Sequence, residues 1–217
     1  MKKTVSIILA VAILLGTMIT LTACFEPNAC AYVYERDNEG RDIRYAKISF
    51  KDYGEVYLLL DATAAPISVE NFLNLANSGF YDNLTMHRVI EDFMIQGGDP
   101  NADGTGGSDN EIYGEFRENG YRHNDLNHIT GVISMARGDE RNSASSQFFI
   151  CNADASHLDG KYAAFGYVIS GMRVVHKITR KTAKYGDDNG LISDKSKQVI
   201  ILSITEITEE EVLTVIK

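Results

Sequence analysis

The sequence predicts a mainly β domain, an antiparallel barrel or sandwich with two helices packed on it. Two observations carry this reading. Eight short strand-like segments lie between Tyr45 and Ile207, and only two segments show the three-to-four-residue apolar spacing of a helix. The intervals are too short for regular βαβ crossovers, which argues against a parallel sheet.

The chain has 217 residues, which allows one domain with appendages. Hydrophobic residues make up 44% and charged residues 24%, so whole-chain disorder, collagen and coiled coil are excluded. A chain this long buries an adequate core without disulfides or metals. It carries 21 Lys and Arg against 30 Asp and Glu, a net charge of -9. A duplex-binding surface needs a basic excess, so nucleic acid is excluded as a partner. Three cysteines are too few for a disulfide scaffold.

The N-terminus is a different material. Met1, Lys2 and Lys3 form a basic start, and no charge follows until after Phe25. A transmembrane anchor and a secretory signal both fit this length. Leu21-Thr22-Ala23-Cys24 places two small residues and a cysteine after the apolar core. This resembles the lipobox of bacterial lipoproteins. The resemblance implies a signal peptide over 1–23, cleavage before Cys24 and lipid on its sulfur. An uncleaved signal anchor is the alternative. Either way the body lies outside the cytoplasm and is tied to a bacterial membrane, firmly where two or three acyl chains hold it. Removing Lys2 and Lys3 leaves 19 basic against 30 acidic side chains, a net of -11, which favours solubility. Residues 24–44 read as the lipidated N-terminus and a linker, 45–207 as the folded domain and 208–217 as a tail.

Along the domain, 45–50 and 55–60 are strand-like about a turn at Gly54, a hairpin. Pro66 suits a first helical position and Gly79 a stop. Between them Val69, Phe72, Leu73 and Ala76 fall on one helical face. Further strands are expected over 86–90, 93–96, 131–136, 147–152, 163–169 and 199–207. The segment 171–180 reads as a second helix with Val174, Val175 and Ile178 apolar.

The informative segments sit on those strands. His87-Arg88 leads to Phe93-Met94-Ile95-Gln96-Gly97-Gly98-Asp99, and Asp103-Gly104-Thr105-Gly106-Gly107 follows. Gly131 to Arg137, Ser145 to Ile150 and Leu158 to Gly166 complete the set. In this order they resemble the cyclophilin family of peptidyl-prolyl cis-trans isomerases, over about residues 45–207. The resemblance implies a closed eight-stranded antiparallel β-barrel capped by two α-helices, with a filled interior and an active site in an outer groove. Strand alternation agrees independently. Arg88 and Ile90 share a face, as do Met94 and Gln96, and Gln147 and Phe149. Their opposite-face neighbours Val89, Ile95, Phe148 and Ile150 are all apolar.

The chemistry explains these residue types. Isomerising an X-Pro bond twists a partial double bond against a barrier of about 18–20 kcal/mol, which takes tens of seconds or more uncatalysed. No bond is made or broken, so nucleophile, metal and cofactor are not required. In the twisted state the proline nitrogen becomes pyramidal and basic. A fixed donor there stabilises the transition state more than the planar ground state. Lowering the barrier by about 7 kcal/mol accelerates the reaction roughly 10⁵-fold. By resemblance Arg88 is the catalytic arginine and Gln96 orients the substrate, directly or through Arg88. Phe93, Met94, Phe149 and Leu158 form the proline pocket. Ala136 and Arg137 pair by their backbone with the residues before proline. Gln147 and Gly104 border the groove, and His87 lines it. The implied partners are Pro-containing unfolded or extended polypeptides, met by a monomer.

Three positions depart from well-known eukaryotic members. His157 stands where tryptophan is common and Tyr162 where histidine is common. The stretch from Ala136 to Gln147 is one residue longer. All three look like bacterial members, and they bear on drug binding and sequence preference more than on catalysis.

Blander readings stand beside these. Arg88 alone could be a salt-bridged surface arginine, and Phe93, Met94 and Phe149 could be core. His123, His128, His157 and His176 match no zinc spacing. Asp99, Asn101, Asp103 and Gly104 open like an EF-hand, but position twelve is Asn110 and no helix precedes. The Gly104 to Gly107 stretch lacks the Lys of a phosphate loop. Cys30 and Cys151 could pair, although two free thiols is the ordinary reading. Against the isomerase stand a holdase that binds Pro-containing segments with little turnover, and a ligand-carrying barrel lipoprotein.

Overall fold

The structure, a computed structural model, describes residues 40–215. The expected signal peptide, Cys24, Cys30 and most of the lead-in lie outside the described residues. Eight strands form the domain: β1 Ile43–Phe50, β2 Gly54–Asp61, β3 Thr85–Ile90, β4 Met94–Asp99, β5 Val132–Met135, β6 Phe148–Cys151, β7 Ala164–Ser170 and β8 Val199–Ile207. They close into a barrel in the order β1-β2-β7-β5-β6-β4-β3-β8, and every pairing is antiparallel. The expected eight-stranded antiparallel barrel is therefore present, and closure leaves no open edge.

Period-two alternation builds its interior. Ala46, Ile48 and Phe50 of β1 and Val56, Leu58 and Leu60 of β2 point inward. Val89, Ile95, Phe148 and Ile150 join the same core, as their strand positions predict. The hairpin register runs from Phe50 opposite Gly54 to Ile43 opposite Asp61. Gly54 has φ +117, a conformation side chains disfavour, so glycine suits this turn.

Helix α1, Pro66–Asn77, buries Val69, Phe72, Leu73 and Ala76. Phe72 meets the rings of Tyr81, Phe148 and Phe165 at 5.2–5.4 Å, closing the end where β6 and β7 begin. Ala65 has no side chain to cap this helix. The cap comes from Glu115 instead, which is fully buried and accepts from the N–H groups of Ile67 (2.9 Å) and Ser68 (2.8 Å). Helix α2, Met172–Thr182, buries Val175 and Ile178 and packs on β2, β3 and β4. A Cβ on Gly54 would lie 3.4 Å from Val174, so α2 sits at the end opposite α1.

The sequence reading assigned no element after Ile207. A third helix, α3, covers Glu209–Val215. Thr208 opens it with a capping box: Glu211 N donates to Thr208 Oγ1 at 3.3 Å, and Thr208 N donates to Glu211 Oε2 at 2.7 Å. Val212 is the residue it buries.

A second apolar cluster lies outside the barrel wall. Met94, Phe149, Cys151, Leu158 and Tyr167 are buried in it, with Phe93, Ala136 and Tyr162 packed against it. The same strands thus serve a filled interior with one face and a surface recess with the other.

Candidate active site

Cross-strand register assembles the site. Arg88 on β3 lies opposite Gln96 on β4, Gln96 opposite Phe149 on β6, and Phe149 opposite Ser134 on β5. These four residues form one row across four strands. One row along, Ile90 lies opposite Met94, and Met94 opposite Cys151.

A chain of hydrogen bonds runs along the row. Arg88 Nη1 donates to Gln96 Oε1 at 3.0 Å. Gln96 Nε2 donates to Gln147 Oε1 at 2.8 Å. Gln147 Nε2 donates to the carbonyls of Gly104 (3.1 Å) and Gly106 (2.7 Å). On its other side Arg88 Nε donates to the Asn189 carbonyl at 2.7 Å. Two of the three guanidinium nitrogens are therefore anchored to acceptors. Nη2 makes no hydrogen bond among the described residues. Burial pulls the Arg88 pKa below its ordinary value, and the nearby Tyr162 and Asp187 pull it back up. An arginine so placed stays cationic at neutral pH.

Beside this cation lies the apolar recess. Met94 is 1% exposed, Phe149 5% and Leu158 8%. Phe93, expected to begin a strand, sits in the turn just before β4 and is partly exposed. His157 is exposed, and its ring centre lies 5.4 Å from that of Phe93. Tyr162 meets Phe149 edge-on at 6.1 Å, and the Arg137 guanidinium lies 4.6 Å above the Tyr162 ring. Arg137 also donates to the Lys161 carbonyl through Nε and Nη2, at 3.2 and 3.1 Å. The Ala136 N–H donates to the Gln147 carbonyl at 2.9 Å, tying those two walls together. Phe93, Met94, Gln96, Gln147, Phe149, His157, Leu158, Tyr162, Ala136 and Arg137 thus gather around one groove with Arg88.

His87 is placed differently from the expectation. It is 0% exposed, so it does not line the open surface of the groove. The register against β4 shifts between Met86 and Arg88 and leaves His87 without an opposite partner, and Met86 instead joins the barrel core. Its Nε2 lies 4.0 Å from where a Cβ on Gly104 would be, and among the described residues neither ring nitrogen meets the geometry of a hydrogen bond. Burial lowers its pKa.

Asp99 is fully buried, and its carboxylate accepts from the N–H groups of Asn101, Asp103 and Gly104 at 2.6–3.0 Å. The segment that opens like an EF-hand is a self-bonded turn that presents Gly104 to Gln147. Cys151 is buried and free, and burial pushes its thiol up to about 12, so it is inert as a nucleophile.

Sequence reasoning missed the support beneath the recess. His128, 1% exposed, stacks on Phe149 at 6.0 Å. A carboxylate only accepts, so His128 Nδ1 donates to Asp159 Oδ1 at 3.0 Å. Burial lowers the His128 pKa, and the neutral ring accepts from Ser134 Oγ through Nε2 at 3.0 Å. His128 N also donates to Asp159, and the His128 carbonyl accepts from Ala155 N at 2.7 Å. This hub joins β5, Phe149 and the loop that carries His157 and Leu158. Its one sequence signal was a histidine and an aspartate flanking recess residues, which spacing alone does not interpret. The Asn189 carbonyl left no signal, because any residue supplies one.

A packed barrel with an apolar recess and an anchored cation on its outer wall places the candidate site on the surface. A carrier would hold cargo in its lumen, and here the lumen is filled. The family model for "Cyclophilin type peptidyl-prolyl cis-trans isomerase/CLD" matches residues 45–206. A peptidyl-prolyl cis-trans isomerase of Schizosaccharomyces pombe is 44% identical over 126 residues, spanning 58% of this chain and 79% of that one. Peptidyl-prolyl cis-trans isomerase A of Dickeya dadantii is 44% identical over 132 residues, spanning 58% and 67%. The crystal structure of a cyclophilin type isomerase from Cryptosporidium parvum superposes with a TM-score of 0.67 at 29% identity, covering 77% of this chain and 99% of that chain. The chain belongs to the cyclophilin-type peptidyl-prolyl cis-trans isomerases, and its activity is the isomerisation of X-Pro bonds.

Proposed function

We propose that Arg88 is the catalytic donor of this isomerase and that Gln96 fixes its direction. Phe93, Met94, Phe149 and Leu158 receive the proline ring. One observation carries the assignment: two nitrogens of Arg88 are anchored while Nη2 makes no hydrogen bond among the described residues. A donor held in place before the reaction pays no reorganisation cost when charge develops on the proline nitrogen. The family relative from Cryptosporidium parvum was crystallised in the presence of the dipeptide Ala-Pro, which supports a proline-containing peptide as the ligand class. Pro-containing extended polypeptides are the substrates, and the enzyme acts as a monomer.

The clients are exported proteins, met at the outer face of a bacterial membrane. The Leu21-Thr22-Ala23-Cys24 motif supports this, with a signal peptide over 1–23 and lipid on Cys24. Metabolic labelling with a radioactive fatty acid tests the anchor. Label should enter the wild type and not Cys24→Ala, and an unlabelled wild type rejects the lipoprotein reading. Catalysis is tested by proline-limited refolding of an unfolded substrate with the full-length protein in detergent micelles. Acceleration supports the enzyme. Retained binding without acceleration favours the holdase.

A further inference from the structure

The guanidinium of Arg88 is held from two sides, and only one of them is the barrel. Gln96 holds Nη1 from β4. The other acceptor, the Asn189 carbonyl, belongs to the loop that follows α2. A carbonyl attracts the cation, but the loop that carries it sets where it stands.

That loop is a closed turn from Asp187 to Leu191. Gly190 N donates to the Asp187 carbonyl at 2.8 Å, and Asp187 N donates to the Leu191 carbonyl at 3.0 Å. The Asp187 side chain completes it: Oδ1 accepts from Asn189 N at 2.9 Å and from Leu191 N at 3.0 Å. The turn is latched to the strand that carries Arg88. Val89 N donates to the Gly190 carbonyl at 2.8 Å, and Ile192 N donates to the His87 carbonyl at 2.9 Å. Leu191 bridges Arg88 itself. Gly190 has φ +80, and a Cβ there would lie 2.4 Å from Ile90 Cγ1 and 2.8 Å from the Val89 carbonyl. The loop reaches its place only because Gly190 lets two backbones meet.

We propose that Asp187 is a positioning residue for the reaction: its Oδ1 holds the turn that presents the Asn189 carbonyl to Arg88 Nε. Asp187 touches no substrate. It acts by setting the angle of the guanidinium, and with it the direction of Nη2. This rests on Arg88 being the catalytic donor. The Asp187 charge also supports the cationic form of Arg88. Charge and geometry are separable, because asparagine keeps an Oδ1 acceptor and loses the charge.

The test uses the full-length protein in detergent micelles and four variants: Arg88→Ala, Asp187→Ala, Asp187→Asn and the double Arg88→Ala/Asp187→Ala. Exchange of a Pro-containing peptide is followed by NMR, with its Kd and KM, and circular dichroism checks folding. Asp187→Ala should lower kcat about tenfold, within the range that a misplaced catalytic group costs, with KM and Kd within about twofold. Asp187→Asn should recover most of the loss. In the Arg88→Ala background Asp187→Ala should have no further effect on kcat, because its route runs through Arg88. The Arg88 Nε–H resonance should shift and exchange faster with water in Asp187→Ala and stay near its wild-type position in Asp187→Asn.

Unchanged kcat in Asp187→Ala overturns the proposal. So does an equal loss in Asp187→Ala and Asp187→Asn, which would assign the effect to charge. Additive losses in the double variant would also reject a route through Arg88. If Asp187→Ala does not fold, Asp187→Asn and Asp187→Ser decide through the Arg88 Nε–H resonance, which must track kcat. Unchanged kcat in Arg88→Ala rejects the underlying assignment instead, so the two failures are distinct.

Discussion

Replacing Arg88 with alanine separates an enzyme from a binding module. The side chain sits on the outer wall, and its neighbour Val89 fills the core, so the barrel loses no interior packing. Two acceptors lose their donor: Gln96 Oε1 and the Asn189 carbonyl. Both lie at the groove, where water can replace the guanidinium, so the stability cost should stay below about 2 kcal/mol. Gln96 keeps its 2.8 Å bond to Gln147, so the site floor holds its shape. The recess of Met94, Phe149 and Leu158 is untouched, and peptide affinity should change little. Turnover should fall about 10²- to 10³-fold, the cost of losing a preorganised donor worth roughly 2.7–4 kcal/mol. Arg88→Lys should restore part of this. One ammonium on a flexible stem keeps the charge but cannot hold the Asn189 carbonyl, hold Gln96 Oε1 and face the substrate with a rigid fork. The assay is cis–trans exchange of a Pro-containing peptide by NMR, with its Kd measured in parallel. Unchanged exchange in a folded Arg88→Ala protein would refute the reasoning. A wild type that binds but does not exchange would favour the holdase.

Three further outcomes are expected. The family resemblance implies that a tryptophan at the His157 position donates its indole N–H to the inhibitor cyclosporin; an acceptor left without that donor costs about 1–3 kcal/mol, so inhibition here should be roughly 10- to 100-fold weaker, and His157→Trp should recover much of it. Tight inhibition of the wild type would show that His157 substitutes fully. Glu115→Ala removes the cap of α1 and strands the Ile67 and Ser68 N–H groups, so urea unfolding should show a loss of about 2–4 kcal/mol, and a loss under about 0.5 kcal/mol would contradict the capping role. His87 and His128 both have pKa values lowered by burial, so below about pH 6.5 the unfolded chain binds protons that the folded chain refuses; stability should be full above that pH and fall as pH drops toward 5.5, by at most about 1.4 kcal/mol per pH unit per histidine. A urea midpoint flat from pH 7.5 to 5.5 would be incompatible with neutral buried rings.

The strands, the two main helices and the inner and outer faces of the strands were legible in the letters alone. These follow from local periodicity: Val89 and Ile95 alternate with Arg88 and Gln96, and Phe72 follows Val69 at helical spacing. The site residues were legible where a side-chain type is itself the chemistry, as with the cation of Arg88 and the apolar Met94 and Phe149. The Thr208–Glu211 capping box was also present in the letters, although the reading assigned no helix to it.

Tertiary structure decided what depends on register and on backbone atoms. His87 is buried where the β3–β4 register shifts, an irregularity that no local pattern announces. Glu115 caps a helix 47 positions before it, a contact that no local pattern encodes. The Asn189 carbonyl reaches Arg88 across 101 positions, and every residue owns such a carbonyl, so its identity carries no signal. Periodicity is a property of neighbours in the chain and can be read from letters. The second anchor of Arg88, the neutral ring under Phe149 and the long-range cap exist only once closure of the barrel brings distant backbones within hydrogen-bond reach.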